Sequence, residues 1–306
     1  MNQPDDRSET RLRVSSEAIH QRRRRAAGAG ALALAAVVVW GVASLGGGSS
    51  SSAPSDAFAS RIQAIGGIGS GSLLAKVTKS DAAALDSVLV TTPYIVKGGG
   101  QKKAVALTFD DGPSEYTPRV LAILRNQGVS GTFFSLGGLI STFGPNSVSA
   151  RDAGNVIADH TWTHPQLPTM SLGEQQSEIN RTSAAITGLG LDAPRLFRPP
   201  YGAYDQGTLA AVKKKNMLLV LWDVDSLDWS RPGVDAIVNN ALSQVQSGSI
   251  ILMHDGGGPR EQTLAALPRI IEGLRARGYS MVTVPRLLAE DPPRAGETPP
   301  AVGAGA

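Results

Sequence analysis

From Ala104 onward, short apolar runs alternate with longer amphipathic stretches, and the spacing predicts strand and helix in turn. Val105 to Phe109 is continuous, β-branched and aromatic, so it reads as a buried strand over about 104–109. Two adjacent carboxylates, Asp110 and Asp111, end it, followed by the turn residues Gly112, Pro113 and Ser114. A helix comes next, with Thr117 as cap, Pro118 at its first position and Gly128 closing it. GTFFSL (131–136) is the second strand and, after a loop rich in Gly, Ser and Asn, NVIAD (155–159) is the third. Ser171 and Glu174 have capping-box spacing and open a helix running to about Thr187. Residues 195–197 form the fourth strand, 217–224 the fifth, 249–254 the sixth and 279–284 the seventh. Helices over about 205–216, 234–245 and 261–277 separate them, the last ending at Gly278. Seven strands divided by helices argue for an α/β fold, a distorted (β/α)7 barrel of parallel strands. In such barrels the reactive groups stand at the C-terminal strand ends.

The chain before residue 98 follows a different pattern. Arg22 to Arg25 form a cationic block directly before an uncharged run from Ala26 to Leu45, with Trp40 near its far end. That run is long enough to cross a bilayer, and the positive-inside rule keeps the arginine-rich tail in the cytoplasm. The expectation is a basic tail (1–25), a transmembrane anchor (26–46) and an exported remainder. A cleaved signal peptide, giving a secreted protein, is the alternative. GGGSSSSAPS then reads as a flexible linker. Residues 47–98 are expected to be linker and an ordered or half-ordered stalk packing on the domain, with Gly98-Gly99-Gly100 marking the boundary of a catalytic domain over 99–290. The Pro-, Gly- and Ala-rich segment 291–306 is expected to be a disordered tail.

Charge and cysteine content narrow the chemistry. The net charge of +3 is local: residues 1–25 carry seven arginines against four acids, and the rest holds 22 basic and 22 acidic residues. A neutral body argues against a nucleic-acid partner. With no cysteine in 306 residues, disulfides and thiolate metal ligands are excluded.

The strand ends carry an unusual set of residues. Asp110 and Asp111 end the first, and His160 and His164 of HTWTH follow the third. RPPYG (198–202) follows the fourth, Asp225 and Asp228-Trp229 follow the fifth, and His254-Asp255 ends the sixth. Three of the four histidines fall at these ends, the other being His20. Two like charges side by side call for a cation. His160 and His164 at i, i+4 reach one ion if the segment turns helical, and Asp110 or Asp111 completes a two-histidine, one-carboxylate site.

TFDDG, HTWTH, RPPYG, DSLDW and LMH, in this order over roughly residues 103–288, resemble the five signature motifs of the polysaccharide deacetylases, carbohydrate esterase family 4. The resemblance implies that Asp111, His160 and His164 hold one divalent metal, Zn²⁺ above Co²⁺ or Mn²⁺. It implies Asp110 as general base held by Arg198, and His254 as general acid supported by Asp228. Tyr201 would give a backbone oxyanion donor, while Trp229 and Leu252 would wall an acetyl pocket. The implied activity is N-deacetylation of an amino-sugar polymer, either peptidoglycan or chitin-type oligomers. The implied partners are that glycan and, through the N-terminal helix, the membrane. Two other readings stand beside it: an O-acetyl esterase acting on a xylan-like polymer, and a glycan-binding wall protein with an inactive site. Asn155 and Ala158, in the approach to His160, depart from what related sequences often carry.

Overall fold

The computed structural model describes residues 78–293. The expected basic tail, membrane span and the linker up to residue 77 lie outside the described residues, as does the tail from 294. Among the described residues no helix is long and apolar enough to cross a membrane.

The order of elements is α1 (Lys79–Thr91), β1 (Tyr94–Ile95), β2 (Ala104–Gly112), α2 (Thr117–Gln127), β3 (Thr132–Ser135), α3 (Ile140–Asp152) and β4 (Val156–Asp159). It continues with α4 (Leu172–Gly188), β5 (Leu196–Phe197), α5 (Gln206–Lys214), β6 (Leu218–Val220), β7 (Val224–Asp225) and α6 (Val234–Ser243). The last elements are β8 (Ile250–His254), α7 (Glu261–Ala276), β9 (Ser280–Val282) and α8 (Val284–Glu290). One parallel sheet runs β1-β6-β5-β4-β3-β2-β8-β7, with β9 against the start of β2. It curls into the distorted (β/α) barrel that the alternation predicts.

Alternation along β2 shows how the layers form. Val105, Leu107 and Phe109 point outward and pack with Val120 and Leu124 of α2 and Leu267 and Ile270 of α7. Ala104 and Ala106 point inward, beside Phe134, Leu196, Leu218 and Ile250. Period-two alternation sorts the strand between two cores, so neither face is polar until Thr108 and Asp110 near its C-terminal end.

The start of the barrel is closed by the segment expected to be a stalk. Leu85 and Val88 of α1 join Val284, Leu287 and Leu288 of α8 in the inner cluster. β1 adds an edge strand, Tyr94 opposite Leu219 and Ile95 opposite Val220. The structure therefore places residues 79–97 inside the body rather than before it. Gly98 and Gly99 are points of close packing within the body, not a boundary. Gly99 donates to the Asp291 carbonyl, and a Cβ there would overlap the Asp291 side chain and the Pro292 backbone. Asp291 itself is buried and accepts from the Gln101 and Lys102 amides at 2.7 and 2.8 Å. It belongs to this closure rather than to a tail.

Three further differences have local causes. The run 217–224 splits into β6 and β7 because it crosses the open seam of the barrel: Leu221 donates to Ile95 O and Asp223 to Ile250 O. The expected loop after β3 holds α3, whose buried positions Ile140, Gly144, Ser147 and Ala150 keep helical spacing despite Pro145. Small residues hid that stripe from a hydrophobicity reading. Thr117 begins α2 without capping it; its hydroxyl goes to Asp255 instead.

Leu85→Ala should lower unfolding free energy by about 2–5 kcal/mol in denaturant titrations, as for any fully buried leucine. Val90→Ala, on the exposed face of the same helix, should change it by less than about 0.5 kcal/mol. Equal, negligible effects would mean α1 only rests on the body.

Candidate active site

In a regular strand Asp110 and Asp111 would point to opposite faces. The β2–β3 register instead shifts between Asp110 and Gly112, and Asp111 takes φ 69°. This bulge brings both carboxylates to one imidazole: His160 Nε2 lies 3.7 Å from Asp110 Oδ2 and 3.5 Å from Asp111 Oδ1. The loop after β8 presses on the bulge from the other side. Gly257, at φ 73°, leaves no room for a Cβ against the Asp111 carboxylate. Buried Arg260 holds that loop by donating to the Gly256 and Gly257 carbonyls at 2.6 and 3.1 Å. Asp255 ties the turn to β8: its amide donates to Asp110 O, its carbonyl accepts from Ser114 Oγ, and its carboxylate accepts from Thr117 Oγ1 at 2.5 Å. Burial pushes the Asp255 carboxyl up to about 7.

His160 follows β4 directly, and its amide donates to Ser135 O. Its Nδ1–H donates to the Arg198 carbonyl at 2.7 Å, which leaves the Nε2 lone pair facing Asp111. His164 Nε2 lies 3.2 Å from the same Asp111 oxygen. Burial drives the His164 imidazole down to about 4 against the pull of Asp111, so it is neutral at pH 7, the form that ligates metals. The expected helical turn between the histidines is absent. Thr161 and His164 are left-handed, at φ 71° and 62°, and Asp159 fixes the first by accepting from the Thr161 amide at 3.0 Å and Ser183 Oγ at 2.9 Å.

These three residues fit a divalent cation. Their ligand atoms all lie within 4.8 Å of one another, and Asp111 Oδ1 is buried with no hydrogen-bond partner. Burial pulls the His160 imidazole down, but the neighbouring Asp110 and Asp111 carboxylates outweigh it and push it up, a pull toward positive charge that a bound cation would answer in place of a proton. Two nitrogens and one oxygen, with no thiolate, suit a divalent first-row metal.

Two charge pairs flank the cluster. Arg198 is wholly buried, and its Nη1 donates to Asp110 Oδ1 at 2.8 Å and Thr108 Oγ1 at 2.9 Å. Its other nitrogens donate to Val220 O and Leu221 O, the carbonyls freed where β6 ends, and its guanidinium lies 4.1 Å over Phe134. On β8, in register opposite Asp110, His254 donates Nδ1–H to Asp228 Oδ1 at 2.7 Å. Asp228 Oδ2 also accepts from the His254 amide and from Thr263 Oγ1. Burial pulls the His254 imidazole down, but Asp228 outweighs it and raises the group to about 9.

Tyr201 and Leu227 stand at φ 62° and 56°, both partly exposed. The Tyr201 ring meets His164 edge-on, centroids 4.6 Å apart. Trp229 is half-buried on the turn that carries Asp228, and Leu252 is buried on β8 opposite Thr108. Left-handed side chains thus gather at these loops, where strain is held by surrounding bonds. Sequence reading did not single out Thr108, Asp159, Glu178, Arg260 or Thr263, all buried. Their signal was polarity on an otherwise apolar strand or helix face. Asn155 is structural, bonding Gly131 N and Ala150 O.

A two-histidine, one-aspartate cluster at the C-terminal ends of a parallel barrel stands where such barrels place their reactive groups, with ligand types that could hold a metal. The sequence pattern of the polysaccharide deacetylases matches residues 97–220. A peptidoglycan-N-acetylglucosamine deacetylase of Bacillus cereus is 38% identical over 197 residues, covering 63% of this chain and 71% of that protein. A chitooligosaccharide deacetylase of Bradyrhizobium sp. is 38% identical over 199 residues, covering 60% and 90%. The crystal structure of a peptidoglycan N-acetylglucosamine deacetylase bound to a hydroxamate-bearing naphthyl benzamide superposes with TM-score 0.63 at 35% identity, covering 68% of this chain and 98% of that one. The chain belongs to the polysaccharide deacetylase family.

In the metal-free protein the His254 imidazole should titrate near 9 in an NMR pH series, against about 6.5 for an ordinary histidine. The raised value stabilises the fold fully below about pH 6.5, and this contribution fades as pH climbs through about 9. Asp228→Asn should bring the midpoint down toward the ordinary value. An unmoved midpoint would show that the Asp228 charge does not act on this ring.

Proposed function

We propose that this chain is a metal-dependent hydrolase that removes N-acetyl groups from amino-sugar polymers, of the peptidoglycan or chitin type. The observation that carries the reading is the pairing of Asp110 with His254 in register on adjacent strands. Arg198 bonds the first at 2.8 Å and Asp228 favours the imidazolium of the second, and the cluster of Asp111, His160 and His164 lies beside them. A base and an acid so placed suit hydrolysis of a bond whose leaving group is an amine.

A divalent ion held by Asp111, His160 and His164 would supply Lewis acidity, polarising the acetyl carbonyl and making water more acidic. Asp110, with Oδ1 fixed on Arg198, takes a proton from the attacking water through Oδ2. Oxygen adds to the acetyl carbon, and the charge that gathers on the carbonyl oxygen meets the Tyr201 amide N–H. His254 gives its Nε2 proton to the amide nitrogen, the C–N bond breaks, and acetate and the free amino sugar leave. Asp228 keeps the imidazole protonated and oriented through Nδ1. Trp229 and Leu252 would wall the acetyl pocket. The substrate class agrees with the export expected from the arginine block and the apolar run of residues 22–45, because wall glycans lie outside the membrane.

Acetate release from purified peptidoglycan, chitin oligomers and acetylated xylan tests this. The first two should yield acetate, and a chelator should abolish it. Asp110→Asn should bind metal normally and lose turnover by at least about 100-fold, whereas Asp111→Asn should lose metal affinity. Release from xylan alone would make the chain an O-acetyl esterase. Release from none would make it a glycan-binding protein.

A further inference from the structure

In a helix, a spacing of four residues would bring His160 and His164 to one face unaided. Here the connecting residues leave β4 as a bend with two left-handed positions. His160 is fixed at both ends, through its amide on Ser135 and its ring on Arg198. His164 is less constrained: its amide makes a long bond to Thr161 Oγ1 at 3.2 Å, and its side chain is about one-quarter exposed. Something else must set where it sits relative to His160.

The candidate is a carboxylate from another element. Glu178 lies on the buried face of α4, only 6% exposed. Its Oε2 accepts from the Trp162 amide at 2.9 Å and the Thr163 amide at 2.7 Å, and its Oε1 accepts from Thr163 Oγ1 at 3.0 Å. These are the two residues midway between the histidines. Successive amides pointing at one anion form a nest, a charge-assisted arrangement stronger than neutral hydrogen bonds. α4 reinforces it from neighbouring turns: the Arg181 guanidinium stacks 4.2 Å over the Trp162 ring. Thr182, with its hydroxyl on Glu178 O, backs onto Gly137.

We infer that Glu178 is a positioning residue for the cation site. Its carboxylate, rather than a helical backbone, sets the separation of the His160 and His164 imidazoles. The inference rests on the reading that Asp111, His160 and His164 hold a metal. Outer-sphere partners of this kind change metal affinity by about 10–100-fold. Glu178→Met keeps the volume and removes every acceptor. Glu178→Gln keeps one oxygen for the amides.

The test is titration of the metal-free full-length chain with Co²⁺, following its visible absorption against a competing chelator, with hydrogen exchange read over residues 161–164. Glu178→Met should bind Co²⁺ about 10–100-fold more weakly, with an altered absorption band and faster exchange confined to that segment. Glu178→Gln should recover most of the affinity. Wild-type affinity and an unchanged band in Glu178→Met would overturn the inference while leaving the metal site intact. If Glu178→Met does not fold, Glu178→Asp keeps the charge but shortens the reach; it should bind more weakly, and equal affinity would overturn the inference. A wild-type chain that takes up no Co²⁺ would overturn the metal reading itself, and this inference with it.

Discussion

The site depends on one backbone irregularity. Without the bulge at Asp111, β2 would send one carboxylate into the barrel and the other into the helix layer, where Phe109 and Val120 leave no polar partner. The left-handed φ of 69° reverses that. It costs on the order of 1 kcal/mol, less for Asp than for most residues. Asp255, Arg260 and the glycines after β8 hold the bulge from outside. Two chemically identical side chains thereby acquire different surroundings. Asp110 meets a buried guanidinium, and Asp111 meets two imidazoles with one oxygen left without a partner.

Arg198 joins fold to chemistry. The barrel seam opens where the chain passes from β6 to β7, leaving the Val220 and Leu221 carbonyls without ladder partners. A planar fork with five donors fits that gap, whereas a lysine offers a point charge and too few directions. The same side chain then has a donor left for Asp110, and its own carbonyl fixes the His160 ring. The gap in the sheet is thus the place where Asp110 and His160 are tied together.

The barrel and the gathering of Asp111, His160 and His164 at its strand ends were legible because they are written in strong local signals. Apolar runs ended by acids, and three of four histidines at strand ends, have few structural explanations. Other features were not legible, and each for a physical reason. α1 and β1 looked like a stalk because they precede the Gly98-Gly99-Gly100 run that reads as a boundary, yet Gly98 and Gly99 pack against Asp291 too closely for a side chain. α3 hides behind Gly144, Pro145 and Ser147, which read as loop although Gly144 and Ser147 are buried in the helix. The turn between the histidines takes its shape from Glu178 and Asp159, so no periodicity in HTWTH could reveal it. Supports of this kind come from distant elements and surface in sequence only as polar residues on apolar faces.

If the bulge divides the vicinal carboxylates between two tasks, a bound metal sits on one of them alone. Anomalous diffraction at the zinc edge, from crystals grown with Zn²⁺, tests it most directly. The account predicts one peak about 2.0–2.2 Å from Asp111 Oδ1, His160 Nε2 and His164 Nε2, with Asp110 still paired to Arg198. A peak ligated by Asp110 in place of Asp111, or one that leaves the histidines untouched, would contradict it.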